Sequence, residues 1–185
     1  MITTEPPDAA SATPQYRNEH CDYRELSKRD RHALRDLLKM AFPIGKSSHE
    51  LWSEFTETTA FVRRIVEPTE SDPAEGIIGA AIVMSYPEDQ YDYLAYLAIH
   101  PDYRRRWRLF ARTPQPHHGT ELLRDIYEVM RDKVSPTRMQ RTLMIEPAGE
   151  PALRFYLHAL PANEYPLQFS AEDWVISVAY DGFAL

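Results

Sequence analysis

A single cysteine, Cys21, in 185 residues rules out an internal disulfide framework and any zinc site built on cysteines. A lone thiol of this kind reads as a buried, unreactive side chain. Long apolar runs are missing too. The longest, IIGAAIVM, falls far short of the roughly 20 residues a membrane-crossing helix needs. The chain does not open with a basic segment followed by an apolar one, so no secretory leader, no membrane partner and a cytoplasmic location are expected. Positive charge is in deficit: 21 Lys and Arg against 28 Asp and Glu leave a net charge of −7, which argues against a general nucleic-acid binder. No internal repeat appears. What is present, 43% hydrophobic residues with 11% aromatics, suffices for one globular domain with a sizeable core.

Residues 1–20 are rich in Pro, Ala, Thr and Ser and lack apolar periodicity; they are expected to form a disordered tail, with the folded domain over 21–185. Ser27 is placed to cap a helix carrying Leu34, Leu37, Leu38 and Ala41, which Pro43 stops. SSHELWSEF offers a second helix, with Ser47 and Glu50 spaced as a capping box. FVRRIVE, GIIGAAIVMSY and YDYLAYLAIH, separated by ESDPAEG and PEDQ, predict three strands joined by hairpins. GTELLRDIYEVMRDK places Leu122, Leu123, Ile126, Val129 and Met130 on one helical face. RTLMIE predicts a strand, PALRFYLHAL a short helix with Pro151 in its first turn, and YPLQF and WVISVAY closing strands. The order ααβββαβαββ is an α+β layout around a mixed sheet.

The connection over 96–123, YLAIHPDYRRRWRLFARTPQPHHGTELL, concentrates Arg104, Arg105, Arg106, Arg108 and Arg112 between a strand and a helix start. A helix N-terminus offers unpaired N–H groups and the positive end of a dipole, and arginines add fork-shaped donors, so a phosphate-bearing ligand is expected there. Gly119 would let the backbone come close, and Thr120 could cap. A solvated charged loop is the plainer alternative. Trp107 and Phe110 among the arginines also allow a grip on single-stranded nucleic acid, but the acidic balance elsewhere opposes it, and no nucleic-acid partner is expected. His117 and His118 lack the i,i+4 spacing of a helical metal pair and have no third ligand in spacing, so no metal is expected.

The segments YLAIHPDYR, HGTELLRDIYEVM and LMIEP followed by ALRFYLHAL resemble the acetyl-CoA binding segments of the GNAT superfamily of acetyl-CoA-dependent N-acetyltransferases. The resemblance implies a GNAT-like mixed, splayed and twisted sheet flanked by helices. It also implies acetyl-CoA as co-substrate and direct transfer of its acetyl group to a primary amine of a small molecule or peptide. Leu97, Ala98 and Ile99 match the strand end whose backbone holds the pantetheine arm and the acetyl carbonyl. Arg104 and Arg105 match the basic start of the pyrophosphate loop, with His117, His118, Gly119 and Thr120 at its far end. Tyr156 matches the tyrosine that protonates the departing thiolate; otherwise it is a core aromatic beside Phe155. Two departures stand out: His117 replaces a glycine of the family pattern, and RWRLFARTPQP is inserted after Arg105. They keep open a catalytically impaired domain of the same fold that binds CoA or a protein partner.

Transfer to an amine needs a proton acceptor, and Glu146, at the end of LMIE, is the first candidate; a water-facing strand-end carboxylate is the alternative. His100, before Pro101, is expected to shape a turn. Trp52, Phe55, Tyr86, Tyr91, Tyr93 and Tyr96 fall on elements that flank the acceptor cleft in such a fold, and Glu88, Asp89 and Asp92 add local acidity, which favours a cationic amine. Acceptor identity and homodimerisation are left open.

Overall fold

The computed structural model describes residues 14–42, 58–67, 70, 76–104, 117–133 and 141–180. Helix α1 spans Lys28–Ala41 and begins where expected: the Asp30 N–H donates to Ser27 Oγ at 3.0 Å, satisfying one of the helix's orphan donors. Its buried stripe, Ala33, Leu34, Leu37 and Leu38, is what docks it, since propensity alone holds a helix of this length only marginally. The three predicted hairpin strands are β2 (Thr58–Ile65), β3 (Ile77–Tyr86) and β4 (Tyr91–Ile99), after a first strand β1 (Tyr16–Asp22). Helix α2 (His118–Asp132) buries Leu122, Leu123, Ile126 and Met130, and β5 (Thr142–Ile145), α3 (Glu150–Ala159), β6 (Leu167–Ser170) and β7 (Val175–Ala179) follow. None of the helices among the described residues is long and apolar enough to cross a membrane.

The seven strands form one sheet in the order β1-β2-β3-β4-β5-β7-β6, antiparallel throughout except for the parallel pair β4 and β5. Helix α1 covers one face with Ala60, Val62, Ala80, Ile82 and Ala98 beneath it. Helices α2 and α3 cover the other, over Phe61, Ala81, Val83, Leu94 and Leu143. Because β3 has a helix on both sides, its first seven residues are all buried, and its sequence reads as an unbroken apolar run instead of an alternation.

Two irregularities matter for function. Strands β4 and β5 pair only at Tyr91–Thr142, Asp92–Leu143 and Tyr93–Met144, and beyond these they part. Just past that point Ile82 faces Tyr96 while Val83 faces Leu94, so Ala95 is an extra residue in β4. A bulge of this kind bends the strand and increases its twist, which helps it diverge from β5.

One expectation is corrected. The tail expected over residues 1–20 gives way to strand β1 from Tyr16, so the fold starts with a strand before α1, ahead of the expected start at 21. Residues 1–13 lie outside the described residues, as do the expected helix at SSHELWSEF with Trp52 and Phe55, and Arg105 through Pro116. Strand β1 escapes a periodicity reading because YRNEHCD is an edge strand with no buried apolar row. What holds it is a seven-residue register with β2, together with Arg64 to Glu19, Arg63 to Asn18 and the His20 ring against Phe61. None of these is a local signal.

Candidate active site

The parting of β4 from β5 leaves the β5-side edge of Leu94–Ile99 with no strand partner among the described residues. Backbone N–H and C=O groups on such an edge are obligatory hydrogen-bonding groups, so an extended ligand can complete the sheet there. The side chains anchor the strand while its edge stays open. Leu97 and Ile99 pack on the cluster under α2 and α3, and Ala98 is buried on the α1 face. Gly79 makes this possible opposite Ile99: a Cβ at Gly79 would lie 2.7 Å from Ile99 Cδ1. At the strand end His100 shapes the turn as expected. Its Nδ1 accepts from the Asp102 N–H at 3.4 Å as it caps the 3-10 turn Pro101–Tyr103. The exposed Arg104 that follows folds back, its Nε donating to Ile99 O at 2.8 Å. Its two Nη groups carry no partner among the described residues.

Helix α2 then begins beside this edge. Its N-cap is His117, whose side chain makes no capping hydrogen bond, so the first-turn N–H groups receive no side-chain acceptor from the cap. The expected capping role of Thr120 is therefore not seen; Thr120 lies inside the first turn, since the helix starts at His118 and not at Gly119. Gly119 earns its place by packing, because a Cβ there would stand 3.2 Å from the Phe155 ring and 3.6 Å from Ile99 Cγ1. Strand β4, α2 and α3 meet at this residue.

The two histidines separate. His117 is exposed, whereas His118 is buried at 6% exposure between the rings of Tyr16 and Tyr103. Its Nδ1 accepts from Arg63 Nε at 3.0 Å, which fixes a neutral tautomer. Burial, and then the Arg63 charge, pushes its pKa down to about 4. The His118 imidazole is thus committed to packing, and what it can offer a ligand is its backbone N–H. Arg63, only 4% exposed, was missed by the sequence reading. Its Nη1 donates to Asn18 Oδ1 at 2.8 Å and its Nη2 to the Glu121 carboxylate, tying β1 and β2 to the first turn of α2. The available signal was parity, since Arg63 lies two residues from Phe61 on the face under α2.

On the α1 face, Glu146 follows β5 at the mouth of the opening and is exposed. It stands near the Tyr93 phenol, whose pKa is pushed up to about 12 by burial first and by the Glu146 charge next. Tyr91 is raised in the same way, by burial and then by Asp89, Tyr86 and Glu146. Tyr86 stacks on Tyr91 with centroids 5.0 Å apart and donates to Met84 Sδ at 3.8 Å, and the Tyr96 ring meets Phe42 edge-on at 5.3 Å. Asp92 does not join this acidic face. It points through the sheet and is fully buried, accepting from Ser85 Oγ at 2.6 Å and Tyr180 OH at 2.7 Å. Trp174, another residue the sequence reading passed over, holds the left-handed φ of 56° in the β6–β7 turn. Its indole Nε1 donates to Pro147 O at 2.8 Å, fixing the residue after Glu146.

Tyr156, on α3, packs edge-on against Phe155 and borders the α2 side of the core. Burial alone pushes its pKa up to about 12. Its hydroxyl has no hydrogen-bond partner among the described residues, so it stays protonated and available as a donor.

No family model matches the sequence, and no curated protein matches it either. Solved structures do. Tetrahymena GCN5 aligns over 92% of this chain and 98% of its own at 11% identity, with a TM-score of 0.57. An aminoglycoside 6'-N-acetyltransferase complexed with coenzyme A aligns over 90% and 99% at 13% identity, with a TM-score of 0.55. An acyl-CoA N-acyltransferase from Pseudomonas aeruginosa aligns over 89% and 99% at 8% identity, with a TM-score of 0.54. The fold of this chain is therefore GNAT-like, an open mixed sheet with helices on both faces.

Proposed function

We propose that the chain is an N-acetyltransferase that moves the acetyl group of acetyl-CoA directly onto a primary amine of a small molecule or peptide. The observation that carries this reading is the end of β4–β5 pairing at Tyr93, past which β4 has no strand partner on that side among the described residues, flanked by the first turn of α2, which its N-cap side chain leaves uncapped, at one end and by Glu146 at the other. An extended amide-bearing arm fits that edge, and phosphates fit the helix turn and the Arg104 guanidinium. Acetyl-CoA supplies a thioester-activated acyl group. The chain supplies the rest: on the open edge Leu97 offers its backbone N–H and C=O and Ile99 its N–H, the Ile99 carbonyl already holding Arg104, while Ala98, whose N–H and C=O face β3, anchors the strand; His118, Gly119 and Thr120 offer first-turn N–H groups. Glu146 accepts the proton that the ammonium must lose before it attacks. As the C–S bond breaks and the amide N–C bond forms, the Tyr156 hydroxyl donates its proton to the thiolate.

The test is a calorimetric titration of the full chain with acetyl-CoA, followed by a screen of primary amines for release of free thiol. Saturable binding and amine-dependent thiol are expected. A second reading, a domain of this fold that binds CoA without transfer, is favoured by one feature, the exposed His117 where the family pattern has glycine. Tight acetyl-CoA binding with no thiol released by any amine would put it first. Absence of binding would remove both.

A further inference from the structure

Beneath the first turn of α2 lies a buried charge that packing alone does not call for. Arg63 is 4% exposed and pairs with the half-exposed Glu121 carboxylate. Burying a guanidinium is unfavourable, and apolar residues in place of buried ion pairs often leave a protein as stable or more so. The Arg63 fork instead joins three chain segments at once. Its Nε donates to His118 Nδ1 at 3.0 Å, its Nη1 to Asn18 Oδ1 at 2.8 Å and its Nη2 to Glu121. Gly79, opposite Arg63 across β2 and β3, leaves it room, since a Cβ there would stand 3.3 Å from the Arg63 Cβ. His118 and Glu121 are three residues apart on α2, hence neighbours on one helical face. Arg63 therefore holds the first turn against the sheet at two points. The His118 ring reaches the other end of the same connection: it lies between Tyr16 of β1 at 4.4 Å and Tyr103 at 5.9 Å, both edge-on. Tyr103 ends the turn after β4 and precedes Arg104, so this contact draws together the two ends of the connection from Arg104 to His117.

Resting on the transferase reading above, we infer that Arg63 and His118 are positioning residues for the phosphates of CoA, acting through the first turn of α2 and the Tyr103–Arg104 corner without touching the cofactor. Both side chains are buried, and the His118 Nδ1 lone pair is held by Arg63. What they set is the distance between two groups that remain for a ligand. One is the set of N–H groups in the α2 first turn, which the N-cap side chain leaves uncapped; the other is the Arg104 guanidinium. A phosphate held between a helix start and a guanidinium needs both at hydrogen-bond distance together, and a misplacement of about 1 Å can cost roughly a hundredfold. Lysine is no substitute for Arg63, because one compact ammonium on a flexible stem cannot meet a ring nitrogen, an amide oxygen and a carboxylate in a fixed geometry.

The experiment titrates the full chain by calorimetry with CoA and with pantetheine, which has the same thiol arm and none of the phosphates. Wild type should bind CoA tighter by about a hundredfold or more. Arg63→Met, similar in length and uncharged, should weaken CoA by about 10- to 100-fold and leave pantetheine unchanged. A variant that is merely less stable would lose both ligands in proportion to its unfolded fraction. Arg63→Lys should recover little of the CoA affinity. Asn18→Ala, neutral and on the outer strand, should weaken CoA by about two- to tenfold by loosening the guanidinium. It decides the question if the Arg63 variants do not fold, and unchanged CoA affinity in it would then overturn the inference. Where they do fold, the positioning role is overturned, with the transferase reading intact, by any of three results: CoA affinity unchanged in Arg63→Met, wild-type affinity in Arg63→Lys, or equal loss of CoA and pantetheine. Wild type that binds CoA no better than pantetheine overturns it too. A selective loss of CoA in a chain that releases no thiol with any amine would keep the positioning role and overturn the transferase reading. No binding of either ligand by wild type would overturn both.

Discussion

Asp92 and Glu146 are both carboxylates at the same end of the β4–β5 pair, yet the sheet gives them opposite lives. Asp92 points under α2, is fully buried, and is enclosed by the Ser85 and Tyr180 hydroxyls. Glu146 emerges on the α1 face at the parting of the strands, exposed and with its charge near Tyr93. Alternation along one strand places Asp92 on one side and Tyr91 and Tyr93 on the other, so the buried acid and the exposed face are separated by the thickness of a backbone. A buried acid with every partner satisfied rigidifies a sheet, whereas an exposed acid beside an opening can exchange protons with a substrate.

The comparison can be broken hardest at its exposed end, under the proposed transferase function. Glu146→Gln should lower kcat for amine acetylation by roughly 10²–10⁴-fold near neutral pH and recover toward wild type at high pH, where the amine is already neutral. Its denaturation midpoint should not move, and a variant as fast as wild type at pH 7 would make Glu146 an ordinary surface acid. Tyr156→Phe should give a loss in the same range with acetyl-CoA affinity held, since only the donor is removed. At the structural end, Asp92→Ala leaves the buried Tyr180 hydroxyl and the half-buried Ser85 hydroxyl without their carboxylate and should cost about 2–4 kcal/mol in chemical denaturation. A cost under about 1 kcal/mol would mean the hydroxyls find other partners.

A smaller effect sharpens the same contrast through pH. The folded pKa of His118 lies near 4, below its unfolded value of 6.5, so between those limits the unfolded state binds the extra proton. Its contribution to stability is therefore complete above about 6.5, shrinks as pH falls, and is gone below about 4, a change of at most about 3 kcal/mol. His118→Gln keeps an acceptor for Arg63 but does not titrate, and its denaturation midpoint should fall less between pH 7 and pH 4 than that of wild type. Parallel curves would show that His118 is solvated. Smallest of all, Arg104→Ala should weaken acetyl-CoA binding by about 2- to 10-fold at low salt, because its guanidinium is exposed and screened. Unchanged affinity by calorimetry would place the phosphates away from it.

Local chemistry made much of this legible in the chain. Ser27 marks the start of α1, the stripe from Leu122 to Met130 marks α2, and the unbroken run in β3 announces a strand covered on both sides. The turn at PEDQ and the role of His100 also follow from neighbours a few residues away. Other features escape such a reading because their partners are distant. Strand β1 depends on β2, whose residues lie some forty positions on, and its side chains show no period of their own. Thr120 looked like a cap because Ser and Thr favour that position, but the chain path puts His117 there. Asp92 looked like part of an acidic turn, although its place between Tyr91 and Tyr93 already set it on the other face.

What the sequence by itself determined, then, is the set of elements and the chemistry concentrated near them: two strong amphipathic helices, a hairpin trio, a basic helix start and a lone Glu at a strand end. Which of these meet was decided by the tertiary structure alone. The three-pair contact of β4 with β5, the extra residue at Ala95 and the approach of Phe155 to Gly119 bring β4, β5, α2 and α3 together where the strands part. Short-range propensity cannot encode where two strands stop pairing, because the divergence results from twist accumulated across the sheet and from packing on both of its faces.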